Sequence, residues 1–166
     1  YLRSLSLAQA LANQKNKVIL ITSAKKMCLM PTLSYESGVK VVESIGIFPY
    51  RIRRGGLDIA DIIFRIFFIL TQKIDIIHSF NHRPASVFPG LVKSVTTTKT
   101  KWFVDWADLW GEGGIANIRR NNLIEKIVGK FDSYFEKVVV KYSPNITAIS
   151  DGLIIKAKKI RGSKQN

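Results

Sequence analysis

Short apolar runs rich in β-branched residues alternate with longer stretches of helical spacing along nearly the whole chain, and this alternation narrows the fold more than any other feature. The runs are Val18-Ile19-Leu20-Ile21-Thr22, Val39 to Ile47, Asp75-Ile76-Ile77-His78-Ser79-Phe80, Trp102-Phe103-Val104-Asp105-Trp106 and Ile146 to Ile149. Continuous apolar runs of this length are what strands buried on both faces carry. Gly46 and Pro49 end the second run. Between the runs, Leu5, Ala8, Leu11 and Ala12 share one face of an opening helix, and Asp58 is placed to N-cap a strongly apolar helix reaching to about Ile74. Pro84, whose fixed φ suits a first helical turn, opens a helix extending to the cluster Thr96 to Thr98, with Pro89-Gly90 positioned to bend it. From Asn122, apolar residues at Leu123, Ile127, Phe131, Tyr134, Phe135, Val138 and Tyr142 keep helical spacing until Pro144-Asn145 stops them. Asp151 is placed to cap a last, basic helix containing Lys156, Lys158 and Lys159. Pro31 to Gly38 reads as a loop, and Gly111, Gly113 and Gly114 mark another.

Helices alternating with short strands predict βαβ units, hence an α/β fold whose parallel sheet is covered by helices on both faces. With 166 residues and 46% hydrophobic content, residues 1–166 suffice for one core and are expected to form a single domain. Sheets of this kind bind ligands outside the carboxyl ends of their strands. That rule selects the loops after Thr22, Phe80, Trp106 and Ile149.

Lys and Arg outnumber Asp and Glu by 26 to 12, a formal net charge of +14, which favours polyanionic partners such as nucleic acid or acidic lipid. Arg51, Arg53 and Arg54 precede the most apolar helix and would suit an anionic membrane surface, or else a solvated loop. That helix, Ile59 to Leu70, is interrupted by Asp61 and Arg65 and is shorter than the roughly 20 residues a span requires. A core helix, or one covered by a partner domain, is the other reading of it. A lone Cys28 and no paired Cys/His spacing fit a reducing compartment, the cytoplasm, and give no metal site.

Read together, the strand ends resemble the N-terminal domain of the retaining GT-B glycosyltransferases of family 4. Arg3, Leu7-Ala8 and Leu11-Ala12 followed by Lys17-Val18-Ile19-Leu20-Ile21-Thr22 resemble that family's first helix and second strand. Asp75-Ile76-Ile77-His78 resembles its Asp-apolar-apolar-His strand, and Asp105-Trp106-Ala107-Asp108-Leu109-Trp110 the strand end that carries its central aspartate. Glu136 followed by Ile146-Thr147-Ala148-Ile149-Ser150 resembles the helix and strand closing the first domain. The order matches across nearly the whole chain; Ala107 departs from it, standing where many relatives carry a histidine.

The resemblance implies a Rossmann-like N-terminal half of a GT-B fold, the acceptor side of a hexosyltransferase. Its first strand and Gly-rich turn are expected before Tyr1, and the donor domain that holds the nucleotide sugar after Asn166, so this chain alone is expected to bind donor poorly and to transfer nothing. It also implies retention of configuration, no metal, and no cofactor beyond the nucleotide sugar as co-substrate. A lipid or polysaccharide acceptor would place the protein in the cytoplasm, peripheral on the inner membrane face.

On this reading the catalytic candidates are Asp108 and His82. Asp108 lies just past a strand end between Trp106 and Trp110, where an acceptor sugar could stack on an aromatic face while the carboxylate accepts its hydroxyl; the alternative is a cap flanked by core tryptophans. His82 sits in Asn81-His82-Arg83, a loop leaving the carboxyl end of one strand and entering a helix. Asn81 and Arg83 are acceptor-binding candidates there, Arg83 able to meet a phosphate bidentately; the alternative is a solvated turn. His78, inside its strand, and Asp105 read as structural.

Three rivals remain. A basic nucleic-acid-binding domain would interleave basic and aromatic residues on one face; here the cations are scattered and the tryptophans neighbour an Asp, so nucleic acid is not the expected partner. A dinucleotide oxidoreductase needs a G-x-G-x-x-G turn, which these residues do not contain. A sugar-nucleotide epimerase of GT-B architecture would differ in the donor domain.

Overall fold

The computed structural model describes residues 1–109, 114 and 123–162. It is a mixed α/β structure in two compact units, residues 1–73 with 83–89 and residues 74–82 with 90–166.

In the first unit, helix α1 (Leu2–Asn13) precedes strands β1 (Val18–Thr22), β2 (Thr32–Glu36) and β3 (Val39–Glu43). The sheet order is β1-β3-β2. β1 and β3 run parallel, Val18 opposite Val39 and Thr22 opposite Glu43. α1 lays Ala8 and Ala12 on Val18, Leu20, Val39 and Val41, while Leu11 of the expected apolar face is exposed. β2 lies in the segment expected to be a loop and pairs antiparallel with β3, so this sheet is mixed rather than all parallel. Ser37 and Gly38, with φ of 48° and 81°, make the two-residue reversal that a tight hairpin demands. Thr32-Leu33-Ser34-Tyr35-Glu36 escapes a search for buried runs because it is an exposed edge strand whose apolar residues merely alternate. β3 also stops at Glu43, short of Ile47; one residue on, the Ser44 amide and hydroxyl both donate to the Thr22 carbonyl at 2.9 and 3.1 Å.

The short helix α2 (Tyr50–Arg54) leads into α3 (Ile59–Leu70). Asp58 caps α3, one carboxylate oxygen accepting from the Ala60 and Asp61 amides at 3.0 and 3.4 Å. The helix ends at Leu70 rather than near Ile74, where the Thr71 hydroxyl donates to the Phe68 carbonyl. Its buried stripe is Asp61, Arg65 and Ile69, while Ile59, Ile63 and Phe67 are exposed. The apolar residues thus do not all face inward.

The second unit holds β4 (Ile76–Phe80), β5 (Lys101–Trp106) and β6 (Asn145–Ala148) in one all-parallel sheet of order β4-β5-β6. Phe80 is level with Asp105, and Asp105 with Thr147. The helices are α5 (Leu123–Tyr142) and α6 (Asp151–Arg161); α4 (Pro84–Thr96) contributes its residues from Gly90 onward to this unit. Trp106, Val140 and Ala157 form the core against Ile146, Ala148, Leu153 and Ile160, so α5 and α6 cover one sheet face together. The Arg161 guanidinium locks the two helices by donating to the Val140 and Ser143 carbonyls at 2.8 and 2.7 Å. α6 is capped by Ser150, whose hydroxyl accepts from the Leu153 amide; Asp151, expected as the cap, is in the first turn, where its charge complements the helix dipole. Gly90 lets α4 approach the sheet, since a Cβ there would collide with the Trp102 indole. Among the described residues, no helix is long and apolar enough to cross a membrane.

Candidate functional site

Parallel strands point their carboxyl ends the same way, so the residues that leave β4, β5 and β6 gather at one rim of the second sheet. β4 gives way to Asn81, held at a φ of +66°, a conformation that Asn tolerates better than most side chains. His82 follows and is 5% exposed. β5 ends at Trp106, which is fully buried. The two rings meet edge to face, centroids 5.5 Å apart at 86°. Neither His82 ring nitrogen has a hydrogen-bond partner among the described residues, and neither does Trp106 Nε1. A buried donor or acceptor left unmet costs about 1–3 kcal/mol.

Burial lowers the His82 pKa from 6.5 to about 4. The ring is therefore neutral near pH 7, with one N–H to donate and one lone pair to accept. A ring with that pKa is a weak base and a good hydrogen-bonding partner for an uncharged hydroxyl.

Ala107 and Asp108 continue from β5, and the Asp108 side chain is exposed. The loops after β5 and β6 are tied by the Ile149 amide donating to the Trp106 carbonyl at 3.3 Å. No hydrogen bond joins Asp108 to His82 among the described residues. Trp106 gives its rings to the core and to His82. Trp110 lies outside the described residues. Asn81 belongs with His82 to the second unit and Arg83 to the first, where the Arg83 carbonyl accepts from the Ser86 and Val87 amides to start α4.

One constellation escaped the sequence reading. On the sheet face opposite Trp106, the Thr147 hydroxyl donates to the Asp105 carboxylate at 3.0 Å and lies 3.3 Å from His78 Nε2. With its proton on the carboxylate, the Thr147 hydroxyl oxygen can accept from His78 in the tautomer protonated at Nε2. His78 also stacks on Phe80, centroids 4.6 Å apart. Strand register is the signal that could have found this chain of contacts. Phe80, Asp105 and Thr147 are level, and His78, two residues before Phe80, shares its face, so three neighbouring strands each turn one polar residue to the same side.

In the first unit, the loop after Thr22 holds a second buried polar group. Arg65 Nε meets Asp61 at 2.5 Å, and Ser23 bridges the pair, its hydroxyl donating to Asp61 and accepting from Arg65, each at 2.8 Å. The second Asp58 oxygen accepts from the Ile47 and Phe48 amides at 3.0 and 3.1 Å. Arg53 is buried, contrary to both the membrane and the solvated readings. Its guanidinium donates to the Ala24, Lys25, Lys26 and Phe48 carbonyls, which ties the loop after β1 to α2. These groups are satisfied, and their role is to shape the loop.

Comparison with protein-family models, with curated proteins and with solved structures found no match.

Proposed function

We propose that this chain is the acceptor-side, Rossmann-like part of a retaining GT-B glycosyltransferase. In the full-length protein a hexosyl group passes from a nucleotide sugar, held by a donor domain, to a lipid or polysaccharide acceptor, without a metal. The observation that carries the reading is the pair His82 and Trp106 at the carboxyl rim of the β4-β5-β6 sheet: a neutral imidazole and an indole N–H, none of whose nitrogens has a hydrogen-bond partner among the described residues. A polyhydroxy ligand is rich in groups that donate and accept at once, which is what a neutral imidazole and an indole N–H can meet. Asp108, exposed just past the neighbouring strand, would accept a sugar hydroxyl and orient it. The family order of motifs supports the same rim as the acceptor side, and the net charge of +14 would draw the protein to the inner membrane face.

The test is sugar release from a panel of nucleotide sugars by the full-length protein with membrane extract, comparing wild type, Asp108→Ala and His82→Phe. Loss of transfer in both variants, with the fold retained, is the expected result. Full activity in both would remove this rim from the reaction, and no turnover or binding of any nucleotide sugar would end the glycosyltransferase reading.

A further inference from the structure

The outward side of α5 carries two chemistries in adjacent strips. Lys126, Lys130, Lys137 and Lys141 are all exposed, and their spacing returns each to the same side of the helix. Next to them, Ile127, Phe131 and Tyr134 form a second exposed strip, Tyr134 being 71% exposed. Tyr142 extends it, with Lys141 Nζ lying 5.2 Å from its ring centroid. The described acidic residues of α5, Asp132 and Glu136, fall instead on the side of the buried Val139 and Val140. α6, locked beside α5 by Arg161, adds exposed Ile155, Lys158 and Lys159, with the exposed Asp151 one turn before Ile155 as the acid on that side. The outward surface of α5 is thus cationic and apolar at once, with no described acid on it.

A basic strip alone would serve any polyanion. An apolar strip alone would call for a protein groove. Side by side on one helix, they match an anionic bilayer, where apolar and aromatic side chains enter the boundary between headgroups and acyl chains while lysines reach outward to the phosphates. We propose that the α5 and α6 face of this chain docks on an anionic lipid bilayer, α5 lying in the plane of the interface. Under the glycosyltransferase reading such docking would serve a lipid-borne acceptor, yet vesicle binding needs no sugar donor, so either can fail alone.

The experiment is sedimentation of the full chain with vesicles rich in phosphatidylglycerol and with vesicles of phosphatidylcholine. Binding is expected to the first and not the second, and to weaken with salt. Lys130→Gln with Lys141→Gln should weaken it roughly 25-fold, at about 5-fold per charge removed. Ile127→Ser with Phe131→Ser should weaken it comparably, and circular dichroism checks the fold of both. Tyr134→Trp reports insertion on an otherwise native chain: the emission of this variant should shift to the blue on the anionic vesicles alone. Four results would overturn the proposal: no binding, equal binding to both vesicles, binding unaffected by the lysine substitutions, or an unshifted emission of the Tyr134→Trp variant with binding that the apolar substitutions leave intact. The last, together with tighter binding to single-stranded RNA, would mark the face as a general polyanion surface.

Discussion

The ion pair of Asp61 and Arg65 offers a sharp test of how α3 is held. Both side chains are almost wholly buried, at 1% and 8% exposure, and Ser23 completes their hydrogen bonding. Arg65→Met strands a carboxylate with the Ser23 hydroxyl as its one described side-chain donor, and breaking a buried pair from one side costs about 3–5 kcal/mol. Asp61→Leu strands the guanidinium at a similar cost. Replacing both removes the two desolvation penalties together, and exchanges of a whole buried pair for apolar residues are often neutral or stabilising. The double variant should therefore lie within about 1–2 kcal/mol of wild type, the remaining cost being the Ser23 hydroxyl left without its partners. The sum of the single losses would then exceed the double loss by several kcal/mol. Urea unfolding of the four proteins, followed by far-ultraviolet circular dichroism, closes the cycle. Single losses under about 1 kcal/mol, the range of exposed pairs, would refute the burial argument. Additive losses would refute the coupling.

Three further outcomes follow from other buried groups. Asp58→Ala should cost about 3 kcal/mol in urea unfolding, about 1 for the cap of α3 and about 1 for each of the Ile47 and Phe48 amides that lose their acceptor; a loss below about 1 would mean water replaces the carboxylate without penalty. Gly90→Ala puts a methyl against the Trp102 indole and should both destabilise by about 1–3 kcal/mol and shift tryptophan emission as the bond from Trp102 Nε1 to Ser79 breaks, whereas unchanged emission and stability would show that α4 yields easily. His82 binds its proton less readily folded than unfolded, so stability should be full above about pH 6.5 and fall as pH drops toward 4 and below, by about 3 kcal/mol in all. His82→Gln should flatten that part of the pH profile of urea unfolding, and an identical slope in the variant would assign the titration to other groups.

The sequence made legible those elements whose apolar residues repeat at a fixed period. Val18–Thr22 is a strand in both readings because five apolar or β-branched residues in a row favour extended backbone, and the long helix through Tyr142 is a helix in both, although Ile127, Phe131, Tyr134 and Tyr142 of its apolar spacing are exposed and Val139 and Val140 are buried instead. Residues 32–36 were not legible as a strand because Leu33 and Tyr35 face solvent, so no apolar run exists to notice, although Ser37-Gly38 was a hairpin signal in plain view. Asp61 and Arg65 stood out as interruptions of an apolar run; that they turn inward while Ile63 and Phe67 turn outward depends on Ser23 from a distant loop. At the rim, the rule of strand ends brought His82 and Trp106 into one candidate set, and their rings do meet. The unmet state of their polar atoms was not legible, since it reflects the third dimension of packing.

That unmet state separates two uses of buried polarity in this chain. In the first unit Arg53, Asp58, Asp61 and Arg65 are deeply buried and each is matched by carbonyls, amides, a carboxylate or a hydroxyl. Such groups fix the path of a loop and ask nothing of solvent or ligand. His82 and Trp106 are as deeply buried, and none of their three polar atoms is matched among the described residues. A fold that satisfies four charged groups in one unit has no general difficulty in placing partners, so polar atoms that no described residue meets call for a local cause. Polar atoms that no described residue meets, at the carboxyl ends of parallel strands where ligands of α/β sheets bind, hold hydrogen-bonding capacity that a ligand hydroxyl could take up. The same atoms would count against the rim if His82→Phe raised stability and left acceptor binding unchanged, because the polarity would then serve neither fold nor function.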